Sequence, residues 1–226
     1  MHCVRLSALA AVLLILGGCV TAPAYGPPYG PTPPPPPAPP TEGSGGGVLM
    51  DWRAIITAQD RNRLDRIDEA WSRALDQARR SEGSGDLLSV GALIDPDAAL
   101  ENPAPPPGAY RCRTVKLGHQ GTTGLGFVVY GWFDCEISRT PQGLRLIKVT
   151  GSQRPSGLLF PEDDLGLVFL GSMALGDEPR ARSYGTNDER DFAARVERIG
   201  RQRWRLVIPY PEVESTLDLI ELVPAS

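Results

Sequence analysis

Two cysteines that flank a glycine-rich turn constrain the fold of this chain more than any other feature. Cys112 and Cys135 each lie in a run of residues suited to β-strands, and Gly118 to Gly126 lies between the two runs. Facing residues of an antiparallel hairpin have a constant sum of residue numbers. A direct pair of these cysteines predicts a tip between Thr123 and Gly124, inside the glycine run. We therefore predict a hairpin closed by a disulfide, which indicates an oxidising compartment.

The amino terminus has the organisation of a secretory signal. Arg5 precedes an apolar run from Leu6 to Leu16, which is too short to span a bilayer. Residues 16–19 read LGGC and resemble the lipobox of bacterial lipoprotein signals. That resemblance implies removal of residues 1–18 and lipidation of Cys19. Val20, and not Asp, follows the cysteine, and by resemblance to Gram-negative lipoproteins this favours the outer membrane, with the domain facing the periplasm. An ordinary secretory signal is the alternative.

A proline-rich segment at residues 19–47 follows the expected lipidation site. Thr21 to Pro40 contains eleven prolines in twenty residues, and glycine and serine follow. This composition favours a polyproline II helix of about 3.1 Å per residue, which reaches roughly 60 Å. We interpret the segment as a spacer between the membrane and a folded domain. A docking site for a proline-binding partner is the alternative.

Residues 50–108 are predicted to be the helical part of the domain. Asp51 and Thr57 are suited to cap the starts of two helices. Apolar residues then recur at helical spacing, which predicts that the second helix continues to Arg80. Asp86 is suited to cap a shorter helix, and prolines close this part of the chain.

Residues 109–226 indicate about eight antiparallel strands separated by Gly, Pro, Asp and Asn. One hairpin permits a register prediction, in which Val196 faces Leu206 and Glu197 faces Arg205. The predicted fold class is α+β, with N-terminal helices packed on a mostly antiparallel, barrel-like sheet. A β-sandwich is the alternative.

Short sequences spread over residues 50–226 resemble one bacterial envelope family. They include Asp51-Trp52-Arg53, Tyr110-Arg111-Cys112-Arg113, Gly151-Ser152-Gln153-Arg154-Pro155, Phe169-Leu170-Gly171 and Arg203-Trp204-Arg205-Leu206. The family is known as domain of unknown function 4893. The resemblance implies an envelope protein and brings no activity with it, and the proline-rich segment departs from the family pattern.

Few residues have the chemistry of a catalyst. His119 is the only histidine beyond the expected signal, and the chain contains no common nucleophile, phosphate-loop or calcium-loop motif. Glu162-Asp163-Asp164 and Asp177-Glu178 could supply carboxylates to a glycan hydrolase or to a calcium ion. We expect no cofactor and no metal site. The formal net charge of −4 argues against a nucleic-acid partner.

The loop from Gly151 to Gly157 is the strongest candidate for a binding site. Its glycines allow backbone N–H groups to converge, and Ser152, Gln153 and Arg154 add donors suited to a carboxylate or phosphate. The alternative is structural, with Arg154 donating hydrogen bonds to loop carbonyls and closing the barrel.

Two classes of function remain open. We predict a non-enzymatic envelope lipoprotein, a binding or structural module whose partner is an envelope protein, peptidoglycan or a small apolar ligand. The alternatives are a cell-wall-directed hydrolase and a protein that resembles a protease inhibitor. Room in a lumen lined by Trp132, Phe169 and Trp204 favours ligand binding, whereas carboxylates that converge in a cleft favour an enzyme.

Overall fold

The computed structural model describes residues 51–81, 84–121, 124 and 126–225. Cys19, the expected signal and the proline-rich segment lie outside these described residues. The helical segments are α1 (Trp52–Ile55), α2 (Ala58–Asp65), α3 (Ile67–Arg80) and a 3-10 segment (Ser84–Ile94). The strands are β1 (Gly108–Leu117), β2 (Phe127–Val129), β3 (Phe133–Thr140), β4 (Gly143–Lys148), β5 (Gln153–Pro161), β6 (Gly166–Leu175), β7 (Asp191–Gly200), β8 (Arg203–Pro209) and β9 (Leu217–Pro224).

Eight antiparallel strands close into a barrel. The strands β3 to β9 pair in chain order, β1 pairs with β3, and β9 returns to pair with β1 along its whole length. The short strand β2 is a ninth strand, which pairs with the end of β1 beyond β3. The expected α+β fold with a barrel-like sheet is therefore confirmed, and the sandwich alternative is wrong. Closure satisfies the backbone groups that an open sheet would leave at its edges.

The predicted disulfide joins β1 to β3, but the predicted register is wrong by two residues. Cys112 faces Phe133 and Tyr110 faces Cys135, so the bonded cysteines are diagonal neighbours with Cα atoms 5.9 Å apart. Side chains alternate between the faces of a strand with a period of two. A shift of two residues therefore keeps both cysteines inside the barrel. The run of strand-type residues that follows the turn forms two strands, because residues 130–132 separate β2 from β3.

Apolar side chains fill most of the barrel interior. Phe169 and Trp204 are buried there as expected, at 0% and 4% exposure. Trp132 does not line the lumen, because it precedes β3, is 39% exposed and stacks against the Arg113 guanidinium. The Phe169 ring occupies the space over Gly171, where an added Cβ would lie 2.3 Å from the ring carbon Cζ. This part of the interior has no space for a ligand.

The helices pack on the outside of the barrel. The apolar face of α3 lies against outward residues of β1, β8 and β9, such as Val115 and Leu219. Thr57 caps α2 as predicted, with its hydroxyl accepting the backbone N–H of Asp60. The prediction of one continuous helix to Arg80 is wrong, because the helix breaks at Arg66. Because of the break, α2 packs against β7 whereas α3 packs against β1, β8 and β9.

A row of alternating charges crosses the outer face between the barrel and the helical segments. Glu197 faces Arg205, Arg205 faces Glu221, and Glu221 faces Arg113, on four successive strands. The predicted register of the β7–β8 hairpin is thus confirmed. Arg205 is fully buried and also donates to the carbonyl groups of Ala92, Leu93, Asp95 and Pro96. It therefore fastens the end of the 3-10 segment to the barrel.

Candidate ligand-binding site at the barrel mouth

The packed interior gives way to a cavity of about 370 Å³ at one end of the barrel. This end, here called the mouth, contains the end of β1, the start of β5, the end of β6 and the start of β9. The residues that line the cavity are Lys116, Gln153, Met173, Leu175, Glu189, Arg190, Asp191, Phe192, Ile208, Pro211, Glu212, Val213 and Asp218.

The walls of the cavity are largely apolar. Met173, Phe192 and Ile208 belong to the same interior cluster as Phe169 and continue it towards the mouth. Residues 211–213, from the connection between β8 and β9, add the outer wall. A ligand in this cavity would therefore exchange water for apolar side chains over most of its surface.

A buried ion pair lies at the mouth. Lys116 faces Asp218 across β1 and β9, and Lys116 Nζ lies 2.8 Å from Asp218 Oδ2. Glu214 approaches the same ammonium at 3.2 Å, and the Ser215 hydroxyl donates to Asp218. Burial opposes the charge on Lys116, but the Asp218 and Glu214 carboxylates raise the pKa of its ammonium. Burial raises the pKa of Asp218, so the contact with Lys116 at 2.8 Å is what supports the charge of this carboxylate inside the barrel.

The second lysine of the chain is also buried near the mouth. Lys148 is 4% exposed, and its ammonium donates to the carbonyl of Gln153 at 2.8 Å and lies 4.1 Å from the centre of the Phe133 ring. Burial, and then the nearby charge of Arg154, lower the pKa of Lys148 to about 8. No carboxylate of the described residues forms an ion pair with it. The chain has only two lysines, at positions that alternate in step with the inward-facing residues of β1 and β4. Sequence reasoning missed this signal.

Arg190, just before β7, and Asp191, its first residue, line the cavity in different ways. The alternation of β7 places the Asp191 side chain on the outside of the barrel, and its Oδ2 accepts the backbone N–H groups of Gly185 and Asn187. Arg190 is two residues before Phe192, so strand alternation places it on the same, inward side. Its Nη2 lies 3.5 Å from a carboxylate oxygen of Glu178, and its Nη1 is buried without a hydrogen-bond partner among the described residues.

The connection between β8 and β9 is held over the mouth from two sides. The side-chain amide of Gln120, at the hairpin tip, donates to the carbonyls of Pro211 and Ser215. Arg63 of α2 pairs with Glu212 at 2.5 Å. These contacts join the outer wall of the cavity to two distant parts of the chain, so sequence order alone did not reveal them.

The predicted binding loop lies at the rim of the mouth but is shorter than expected. Gly151 and Ser152 form the turn, and β5 already begins at Gln153, which lines the cavity. Gly157 is not a loop residue, because it lies inside the barrel, where its space adjoins Phe169. A direct ligand-binding role for the turn itself remains a prediction.

Arg154 has the structural contacts of the alternative interpretation. Its guanidinium donates to the carbonyls of Gly151 and Gly176, each at 2.7 Å, and to that of Glu178 at 2.5 Å. These bonds join the β4–β5 turn to the connection that follows β6. Arg154 therefore supports the rim of the mouth.

The two acidic groups lie at opposite ends of the barrel. Glu162 and Asp163 precede β6 and pair with Arg195 at 2.6 and 3.0 Å, whereas Asp177 and Glu178 follow β6. The ten residues of β6 separate the groups by roughly 30 Å. The two groups therefore do not converge in one cleft, which is the arrangement that would have favoured the hydrolase alternative. His119 is engaged with its own turn, where Nδ1 lies 2.8 Å from the carbonyl oxygen of Gly121.

Within the described ranges, no group of three or more His, Cys, Asp or Glu residues is arranged to hold a metal ion. No helix in this part of the chain combines the length and apolar composition that a bilayer crossing requires.

Comparison with known proteins supports the resemblance seen in the sequence. No curated protein and no solved structure shows a significant match. A family model described as Domain of unknown function (DUF4893) matches residues 52–222 and so covers the helices and nearly all of the barrel. The chain belongs to the DUF4893 family.

Proposed function

We propose that this protein is a non-enzymatic binding module of the cell envelope, which holds a small, partly apolar ligand in the cavity at the barrel mouth. The observation that carries the proposal is the change within the barrel, from a solid apolar interior to an open cavity with apolar walls and charged groups. A volume of about 370 Å³ lies within the usual range for small-molecule sites, about 300–1,000 Å³.

The apolar walls supply the affinity of such a site. Each 100 Å² of apolar ligand surface removed from water contributes about 2.5 kcal/mol before the cost of association. The strands beneath the cavity are closed and densely packed, so the walls are formed before a ligand arrives. Pre-formed walls lower the cost of binding because little of the protein has to be ordered.

The envelope location rests on two features of the chain. The LGGC sequence that ends at Cys19 resembles a lipobox, and lipidation there would anchor the domain to a membrane. The Cys112–Cys135 disulfide suits an oxidising compartment such as the periplasm. The proline-rich segment then allows the barrel to work at a distance from the outer membrane.

A neutral apolar reporter tests the binding function. We expect N-phenyl-1-naphthylamine to fluoresce on entering the cavity of the purified domain. Met173→Trp fills the cavity and should weaken reporter binding at least tenfold. Leu158→Trp, on the outer face of β5, is the matched control and should leave binding unchanged. Reporter binding that is absent, or equal in all three proteins at unchanged melting temperatures, would refute the proposal.

A further inference from the structure

Two inward cations at the mouth lack a close carboxylate partner, although the protein as a whole is acidic. The inward charged residues are Lys116, Lys148, Arg190 and Asp218. Asp218 at 2.8 Å and Glu214 at 3.2 Å neutralise Lys116. In contrast, Lys148 has no ion pair among the described residues, and Arg190 has only the 3.5 Å contact with Glu178. In a partly desolvated site such charges attract an anion more strongly than they would in water.

The acidic residues that line the cavity are engaged elsewhere. Glu212 pairs with Arg63 at 2.5 Å, and Asp191, on the outward side of β7, accepts two backbone N–H groups of the preceding connection through Oδ2, while its Oδ1 is buried without a partner among the described residues. Glu189 is exposed at the rim, where it adds little in high dielectric. The negative groups of the lining therefore do not neutralise the inward cations.

Arg190 has a donor suited to this role. Its Nη1 is buried and has no hydrogen-bond partner among the described residues, although Arg190 lines the cavity. A buried donor without an acceptor costs free energy, and native proteins rarely keep one. Its only described ion pair, with Glu178, involves the other terminal nitrogen, at 3.5 Å. A turn of the Arg190 guanidinium towards the cavity would let Nη1 donate a charge-assisted hydrogen bond to an oxyanion there.

Lys148, which lies next to a residue of the cavity wall, strengthens the same preference for an anion. Its ammonium donates to the carbonyl of Gln153, a residue that lines the cavity, and no carboxylate of the described residues pairs with it. A buried cation without a counter-ion is unfavourable in the folded protein. A negative charge in the neighbouring cavity would lower that cost.

We infer that the ligand is an apolar anion, with a carboxylate or a similar oxyanion at Arg190 and an apolar body against Met173, Phe192 and Ile208. The inference rests on the proposed function, because it names the chemical class that the same cavity selects. It assigns Arg190 as the residue that determines the preference for charge.

Three compounds with one apolar body and different head groups test the inference. They are 4-phenylbutyrate, 4-phenylbutanol and 4-phenylbutylamine, each used to displace N-phenyl-1-naphthylamine from the wild-type domain. We expect 4-phenylbutyrate to bind at least tenfold more tightly than the amine, with the alcohol between them. An equal affinity for all three, or a preference for the amine, would overturn the inference while reporter binding still upheld the proposed function. A reporter that does not bind at all would refute both.

Arg190→Met tests the assignment of the residue. This variant should lose about tenfold in affinity for 4-phenylbutyrate and bind 4-phenylbutanol as the wild type does. Arg182→Met is the matched control, because Arg182 is exposed beside an outer groove and carries the same charge. If the control shows the same loss, or Arg190→Met shows none, Arg190 does not hold the head group. If Arg190→Met fails to fold, the ranking of the three compounds on the wild type still decides the ligand class.

Discussion

Lys116 and Asp218 lie 102 positions apart in the chain, yet their charged groups meet at 2.8 Å inside the barrel mouth. Neither residue exposes more than 7% of its surface. Burying two charges is costly, and the attraction between them offsets this cost only while both are present. The pair therefore joins β1 to β9 at the position where the barrel closes.

Lys116→Met should destabilise the domain by about 3–5 kcal/mol, because it leaves Asp218 buried without its cation. The double variant Lys116→Met with Asp218→Leu should recover most of this loss, since neither charge then remains. Guanidinium denaturation at pH 7 measures the free energy of unfolding of each protein. A single variant within about 0.5 kcal/mol of the wild type would show that the pair is not needed for stability.

Lys148 should make stability depend on pH above neutrality. Its folded pKa of about 8 lies below the ordinary value of 10.5, so the folded state holds fewer protons than the unfolded state between these values. The stability of the wild type should therefore rise with pH in this window, relative to Lys148→Met, by up to about 1.4 kcal/mol per unit.

Denaturation of both proteins at pH 7.5, 8.5 and 9.5 measures this effect. Below pH 8 the lysine is charged in both states, so Lys148→Met should have its largest relative stability there. The raised pKa of Lys116 lies above the window and does not contribute within it. A difference between the two proteins that does not change with pH would show that Lys148 keeps an ordinary pKa.

Gly171→Ala should destabilise the barrel by about 1–3 kcal/mol through overpacking. An added Cβ would lie 2.3 Å from the Phe169 ring and 2.6 Å from the carbonyl oxygen of Ser156, so the ring or the strand must move. Gly131→Ala is the control, because an added Cβ there has no neighbour within 4 Å. Thermal melting of both variants checks this, and equal melting temperatures would contradict the packing argument.

On the proposed lipidation of Cys19, Cys19→Ser should release the protein from the membrane, because the anchor would depend on that sulfur. Membrane fractionation and gel mobility of the full-length chain check this in a bacterial host. We expect the wild type in the membrane fraction and the variant in the soluble periplasmic fraction or retained with an uncut signal. Unchanged mobility together with unchanged membrane association would contradict lipidation.

Local patterns were sufficient for the elements and for their nearest pairings. The β7–β8 register followed from matching Glu197 with Arg205, and the cap at Thr57 followed from its residue type. The disulfide followed from symmetry about a turn, although the register itself was wrong by two residues. These features depend on residues close in sequence, where side-chain period and turn chemistry decide the geometry.

The break at Arg66 was beyond such patterns. Residues on both sides of it have helical spacing, and only the curvature of the barrel separates the surface under α2 from that under α3. The sequence allowed Arg154 to donate to carbonyls of its own loop, but the carbonyls of Gly176 and Glu178 belong to another connection that only the folded rim brings close. A side chain's partners depend on the path of the chain, which composition and spacing do not specify.

The sequence by itself determined the class of fold, the disulfide and the family, because alternation, turns and short motifs are local properties of the chain. Only the tertiary structure decided that β9 returns to β1, that both lysines lie buried near one mouth, and that a cavity remains between Met173 and Ile208. The physical reason is that a cavity is the space left after side chains from many strands have packed. No single stretch of sequence specifies the volume of that space, because side chains from several strands determine it together.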